Sequence, residues 1–565
     1  MEELISIHYR KFRTVLFLLF LFPLSSWAQD VDLAPVTGTY AIHNVIIKKA
    51  PGVTVESGTV VIKDGVISAV GKNIIIPADA HIIQADSMYL YAGFISGLSH
   101  TGIPTPKEDK KEKVKDPGNP PPDRAGIQPQ RKVNTMLDPR DKSISNLRKI
   151  GFTSAHVVPH GGMLPGQGAL ILLTGNSPDQ MIYKNEFSLF SQLKGAQRMY
   201  PSTVIGVMAK YRDLYGKAVQ SKGYQLRYNS NPQGMIRPEK LAVEEAFYSV
   251  IDKKIPVTFV AEKVLDIQRV LTLQSELGFS LMLAEIKQGW DLTTKLKNAD
   301  AKVFLSLDLP EVKEEKEDSS ALNTSKKKTA VDLEKEALEK RKKEAIQQSY
   351  GQPAIFKNNS ISFGFSTMEA KTSAIQSTLR KFLDYGMTED DLLAALTTHP
   401  ARLLGVSNVM GTIDPGKIAN LFISDRSYFQ EGAHVKYVFV DGTLYSYDQK
   451  KEKKTETEEK VKVGGNWSYS SETPDGTVTG KIKVKESEGG YEGTISNSFS
   501  GQTKDLSDIS VEGNQWMFSF KLNIEGNEVT IEFNVAIEED MFEGTMSAGE
   551  FGSFEVEGQK DPEDK

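Results

Sequence analysis

Residues 392–425 read "LLAALTTHPARLLGVSNVMGTIDPGKIANLFISD". This stretch carries the chain from a helix into a strand. His399 stands before Pro400, and a residue in that position avoids the α region, so His399 is expected to end a helix. Pro415-Gly416 supplies a tight turn, and Lys417-Ile418-Ala419 leads into an apolar run at 420–424 suited to a strand. Strands continue at 435–440 and turn at Asp441-Gly442.

A strand at 420–424 needs a sheet to join, and the text at 40–90 offers one. "YAIHNVIIKK", "GTVVIKDGVISAVG" and "HIIQADSMYLYAGFI" are β-prone runs broken at Pro51-Gly52, Asp64-Gly65 and Pro77. Asp64-Gly65 between Val60-Val61-Ile62 and Val66-Ile67-Ser68 marks a hairpin, because such turns need positive φ. Between these β segments, residues 143–411 alternate β-type runs ("TSAHVV", "ALILL", "PVTFVA", "SLMLAE", "KVFLSLDL") with helical ones at 239–251 and 264–277. That alternation predicts a parallel sheet covered by helices, and its length suits a closed barrel; pattern alone also admits a doubly wound sheet.

The remaining segments are punctuation or a separate unit. Residues 103–142, rich in Pro, Lys and Asp, read as a long exposed loop. Residues 311–348 are dominated by Glu and Lys, and their second half reads as a solvated helix with i, i+4 charge pairs. "DQKKEKKTETEEK" at 448–460 is a charged linker. From Val463 onward, short alternating runs separated by Gly, Asn and Asp predict an all-β sandwich or barrel of about a hundred residues.

Composition bounds the function classes. The chain has 565 residues, a net charge of -6 and no cysteine. The weak charge gives no basic face for nucleic acid. The missing cysteines exclude disulfides, thiolate metal sites and a cysteine nucleophile. His8, Arg10, Lys11 and Arg13 precede an apolar run at 15–24, with small residues near Ala28. This predicts a signal peptide over 1–28 and a periplasmic or secreted protein, since the run is about half the ~20 residues of a membrane span. No other stretch is apolar enough to cross a bilayer, so no stable membrane span is expected.

Three segments together resemble the imidazolonepropionase-like branch of the amidohydrolase superfamily: "YLYAGFISGLSH", "GFTSAHVVPHGGMLPGQGALILL" and the stretch at 392–425. The likeness spans roughly residues 40–447. It implies an α/β fold: a (β/α)8 barrel at 93–411 with a composite β-sandwich from 29–92 and 412–447; outside the likeness, the sequence pattern adds a charged linker at 448–461 and a separate all-β domain at 462–565. It also implies a hydrolase of C–N bonds in cyclic or other non-peptide amides, using zinc or another divalent metal to activate water.

The resemblance asks for His-x-His after the first barrel strand, histidines on the middle strands and an aspartate on the last. Here Ser96, Leu98 and His100 occupy the first motif, Val260 stands at a middle histidine and Ser366 at the aspartate. His100 survives, and Glu285 in "SLMLAEIKQGW" is an oxygen-donor candidate, so these two are the candidate metal ligands. They fall short of the three protein ligands usual at a catalytic zinc. His156 and His160, four apart but separated by Pro159, are expected at a strand end and in a loop at the same barrel face, as ligand-contact candidates. No G-x-S-x-G elbow or phosphate loop is present. Two functions follow: a metal hydrolase with a reduced constellation, or a non-catalytic barrel that binds a small-molecule or peptide-like ligand or partners a related amidohydrolase subunit.

Overall fold

The computed structural model describes residues 38–106, 113–310, 330–447 and 463–561, apart from short stretches between 474 and 551. The expected signal segment and the linker at 448–461 lie outside the described residues. The chain divides into two compact units, Met1–Asp448 and Gln449–Lys565.

Strands β1 (Thr39–Ala50), β2 (Val53–Lys63), β3 (Val66–Gly71), β4 (His81–Gln84) and β5 (Tyr89–Ala92) open the first unit. Eight strands follow: β6 (Phe94–Ser99), β7 (Phe152–Val157), β8 (Gly166–Leu172), β9 (Ile182–Gln192), β10 (Val257–Val260), β11 (Leu281–Ile286), β12 (Lys302–Ser306) and β13 (Phe363–Ser366). The chain then returns through β14 (Leu421–Ser424), β15 (Val435–Val440) and β16 (Thr443–Ser446). β14 pairs antiparallel with β5, Leu421 opposite Ala92 and Ser424 opposite Tyr89, so residues 420–424 join the N-terminal sheet as the sequence predicts. The sheet runs β16-β15-β14-β5-β1-β2-β3, with β4 forked off β1. It carries its own apolar core around Ile42, Val60, Ile62, Leu90, Ile423 and Phe439.

β6 to β13 form the second sheet in sequence order. Its ends meet where Thr367 donates its backbone N–H to the Leu98 carbonyl at 3.0 Å, closing the barrel. One strand departs from the all-parallel pattern: β8 pairs antiparallel with both β7 and β9. Outer helices include α1 (Lys142–Lys149), α2 (Val204–Ser230), α3 (Val264–Leu277), α4 (Thr293–Asn298), α5 (Ala330–Asn358), α6 (Thr372–Asp384), α7 (Glu389–Leu396) and α8 (Thr398–Leu403). Local chemistry fixes their ends: the Asp141 carboxylate accepts from the Ser143 N–H before α1, and Thr388 and Asp391 form a capping box on α7. His399 opens α8 rather than ending α7's helix run, and Pro400 fits in the first turn, where its missing N–H costs nothing.

Sheet and barrel are joined by aromatic packing. Phe422 stacks on Tyr91 at 5.1 Å and meets Phe94 edge-on at 4.7 Å, while the Tyr428 hydroxyl donates to the Ile150 carbonyl. The segment expected to be an exposed loop is only partly so. Ala125, Ile127, Val133 and Leu137 are buried in the barrel-side core, and Gln128 donates its N–H to the Leu164 carbonyl at 2.7 Å. Scattered apolar residues without a period still bury when a loop crosses a barrel end.

The second unit is a nine-stranded antiparallel meander, β17 (Gly465–Thr473), β18 (Gly476–Ser487), β19 (Gly490–Asn497), β20 (Thr503–Asp505), β21 (Ser507–Glu512), β22 (Gln515–Ile524), β23 (Asn527–Glu538), β24 (Met541–Ser547) and β25 (Ser553–Lys560). β25 pairs back onto β17, so first and last strands are neighbours, as in an up-and-down barrel. Its core is aromatic: Trp467 packs on Trp516 and Phe542, each with ring centroids 5.6 Å away, and Phe518 stacks on Phe533 at 4.7 Å.

Candidate functional site

The C-terminal ends of the parallel barrel strands carry the residues that the sequence singles out. Ser96 and Leu98 lie in β6 with His100 just beyond it, His156 is in β7, Val260 ends β10, Glu285 is in β11 and Ser366 ends β13. His160 lies in the loop after β7. They share a face of the barrel, but their polar atoms do not converge.

Leu98 is fully buried and packs in the barrel core, while Ser96 bonds to Thr367 Oγ1 at 2.8 Å. Val260 is half-buried against the same core. His156 is completely buried, and both its nitrogens are engaged. A carbonyl only accepts, so Nδ1 donates to the Gly97 carbonyl at 3.0 Å, leaving Nε2 to accept from the Ser188 hydroxyl at 2.8 Å. Burial holds its pKa down at about 4.

His100 and His160 stack, with ring centroids 3.8 Å apart and planes 28° from parallel. His100 Nδ1 donates to the Val158 carbonyl at 2.8 Å, and His160 Nε2 donates to the Ile103 carbonyl at 3.2 Å. Each ring is thus anchored to a backbone carbonyl through one of its nitrogens. Burial, then the neighbouring His160, lowers the His100 pKa to about 4, and burial also lowers that of His160. Lys194 and Glu369 contribute the nearby charges.

Glu285 is fully buried and has φ of +58°, in the left-handed region, where the pairing of β11 with β12 slips between Leu283 and Ile286. A glutamate there costs on the order of 1 kcal/mol and persists because its surroundings fix it. Ser306 Oγ donates to Oε2 at 2.6 Å, and Ser366 Oγ bonds to Oε1. Ser366 Oγ also lies 3.0 Å from the Leu98 carbonyl. Ser366 therefore bridges the Glu285 carboxyl and the Leu98 carbonyl. Burial raises the Glu285 pKa, against the hydrogen bonds from Ser306 and Ser366.

Whether these residues fit a catalytic metal follows from the donor set. A zinc ion needs lone pairs converging at about 2.0–2.2 Å. Lone pairs of two near-parallel stacked rings lie in separate planes, His156 has no free nitrogen, and both Glu285 oxygens are bonded inside the protein. Among the described residues no three His, Asp or Glu side chains come together as a metal site. The set does not fit the three-ligand zinc.

Two features here had no expectation from sequence. Lys287 Nζ pairs with Asp308 at 2.5 Å and lies 3.8 Å from Glu262, linking the loops after β10, β11 and β12. Phe304 from β12 fills the barrel interior: a Cβ on Gly97 would lie 1.9 Å from its Cδ1, and one on Gly364 2.9 Å away. Glycines inside barrel strands were the available signal, since a strand glycine marks close approach.

Residues 303–445 match the Amidohydrolase family. Two Escherichia coli proteins carry the name N-acetylgalactosamine-6-phosphate deacetylase, provisionally in strain K12 and without qualification in O157:H7. Each is 30% identical over 81 residues, 14% of this chain. The match spans 46% of the K12 protein and 20% of the other, less than half of either. A solved amidohydrolase from Thermotoga maritima MSB8 superposes with a TM-score of 0.58 at 21% identity, covering 72% of this chain and all of that one, which shows a shared fold. Over residues 303–445 the chain thus matches the Amidohydrolase family, and its barrel shares the fold of a solved amidohydrolase.

Proposed function

We propose that this chain is a non-catalytic barrel of a C–N hydrolase superfamily, serving as a binding protein or as the partner subunit of a related active amidohydrolase. The observation that carries the reading is the internal satisfaction of the donors. His156 and Glu285 spend both polar atoms on neighbouring protein groups, and Leu98 is sealed in the core. Losing ligands removes the Lewis acid itself. Metal analysis of protein purified without chelators, with amide-hydrolysis assays on N-acetylated sugar phosphates and cyclic amides, tests it. Substoichiometric metal and no turnover are expected; stoichiometric metal with turnover abolished by His100→Ala would overturn it.

The competing reading is a hydrolase acting on a C–N bond, favoured by the 81-residue likeness to deacetylases. Its reduced constellation would be His100, Glu285 and one of His156 or His160, and the same assays decide between the two. Export belongs to the proposal as well. No helix among the described residues is long and apolar enough to cross a membrane. Cleavage after Ala28 predicts a mature protein beginning at Gln29, readable by N-terminal sequencing of periplasmic material.

A further inference from the structure

The barrel is hollowed at the end opposite to His100 and Glu285. A cavity of about 250 Å³ lies where β13 begins, between the end of α5, the first turn of α7 and the start of α8. Its wall is apolar, since Ile361, Phe363 and Met387 line it and each is buried. Its edge is polar, with Ser360, Ser362 and His399. An apolar cavity of about 150 Å³ holds a benzene ring, so this one has room for a benzene ring that carries a substituent.

His399 gives the cavity its chemistry. The ring stands edge-on to Phe363 at 6.4 Å and donates a hydrogen bond to the Phe363 backbone, while Nδ1 is buried without a partner. A neutral imidazole has one donor and one acceptor nitrogen, so the ring that donates to Phe363 keeps Nδ1 as its acceptor. Burial, then the nearby Arg402, holds the His399 pKa below its ordinary value, which favours that neutral form. A buried acceptor without a donor costs free energy that a donor in the cavity recovers. The charges beside it are already met within the chain: Lys357 pairs with Asp391, and Thr388 also holds the Asp391 carboxylate. Arg402 donates to the Ser362 hydroxyl, which leaves that hydroxyl its own proton to give.

We propose that this cavity binds a small neutral phenol, its ring against Ile361, Phe363 and Met387, its hydroxyl donating to His399 and accepting from Ser362. A bare acceptor beside a hydroxyl with a proton to give asks for a group that both donates and accepts, and a ligand hydroxyl does both. A planar ring suits the wall, because Phe363 offers an aromatic face or edge and the Met387 sulfur packs well against aromatic rings. With Lys357 and Asp391 already paired, the cavity holds no unmet charge that would call for an ionic ligand. The site lies at the far end of the barrel from the mouth, and it does not depend on whether the barrel is catalytic.

The test titrates phenol and its methyl ether, anisole, into the full chain, read by ligand-detected NMR and by the ring resonances of isotope-labelled histidine. Both compounds carry the ring, and only phenol can donate. Phenol should saturate with a millimolar dissociation constant and anisole should bind about tenfold more weakly, the share of one hydrogen bond. The His399 resonances should move with phenol, identified by their loss in His399→Asn. His399→Leu should bring phenol down to the level of anisole, and His399→Asn, with an amide oxygen close to the place of Nδ1, should restore part of the difference. The comparison of the two compounds on the wild-type chain needs no variant, so it decides even where His399→Leu folds poorly. Equal binding of phenol and anisole, shifts confined to other histidines, or no saturable binding at millimolar phenol would overturn the proposal.

Discussion

Ser306 donates its hydroxyl to Glu285 at 2.6 Å, a contact that ties β12 to β11 at the barrel end. Ser366 brings in β13, and its link to the Leu98 carbonyl brings in β6. Four strand ends are thus stitched through one buried acid, whose pKa burial raises. This is the part of the barrel where the family resemblance expects an ion.

Replacing that acid separates its shape from its charge. Glu285→Gln keeps both contacts, its carbonyl accepting from Ser306 and its amide donating to Ser366, so stability at pH 7 should hold or rise. Glu285→Ala leaves two buried hydroxyls unpartnered beside a void and should cost roughly 2–5 kcal/mol in denaturant unfolding. The pH dependence has a definite sign. Because the folded pKa is raised, the contribution of Glu285 is fully present below the unfolded pKa and is lost as pH rises through the folded one. The wild-type protein should therefore lose stability relative to Glu285→Gln above the ordinary glutamate range. Parallel stability curves for the two proteins would sink the idea.

The histidines shift the other way. His100 and His156 both have pKa values held at about 4 by burial. A depressed histidine favours folding above its unfolded pKa, near 6.5, and that advantage is lost as pH falls toward 4. Each contributes on the order of 3 kcal/mol once fully lost. In NMR titrations their ring protons should stay in the neutral form at pH 5.5, and unfolding should become steeply easier between pH 6 and 4. A midpoint near 6.5 for His156 would show that its ring is not sealed as described.

Arg148 offers a test of how the barrel and the sheet are joined. Its guanidinium lies 3.4 Å from the centre of the Tyr445 ring, donates to the Tyr447 hydroxyl at 2.7 Å and to the Leu173 carbonyl at 2.7 Å. A lysine cannot stack its charge and serve both acceptors in a fixed fork. Arg148→Lys should cost about 1–2 kcal/mol and Arg148→Ala more, through the lost hydrogen bonds and cation–π contact. Tyr447→Phe should recover a minor part of that loss in a double-mutant cycle; full additivity would mean that the contacts are independent.

The fold was legible where pattern and physics coincide. Asp64-Gly65, Pro415-Gly416 and the βα alternation each demand one local geometry, and these elements occur as expected. β8 was not legible as antiparallel, because "GQGALIL" is buried on both faces and a doubly buried run carries no sign of direction. Helix α2 gave no expectation because Gly206, Gly216 and Gly223 dilute its period. At the mouth, Leu98, Val260 and Ser366 were readable only as departures from the pattern that the resemblance implies. The partners that satisfy His156 and Glu285 were not, since Ser188, Ser306 and the Gly97 carbonyl approach only through the closed barrel. The left-handed conformation of Glu285 has no sequence signal, because the residue there is not a glycine.

Gly97 and Phe304 show how tightly the barrel interior is filled, and they allow a prediction that can be reversed. A methyl at Gly97 would sit 1.9 Å from Phe304 Cδ1, well inside contact distance, and strand β6 has no slack because Ser96 and Leu98 on either side are buried and bonded. Gly97→Ala should therefore destabilise by about 3 kcal/mol, at the upper end of overpacking effects. Phe304→Leu alone opens a small void and should cost on the order of 1–2 kcal/mol. Together they should cost less than their sum, with a coupling of at least about 1 kcal/mol, because the shorter side chain vacates the space that the methyl needs. Denaturant unfolding of the four proteins measures the cycle. If the two losses simply add, Phe304 is not the group that Gly97 accommodates, and the barrel is packed differently at its centre.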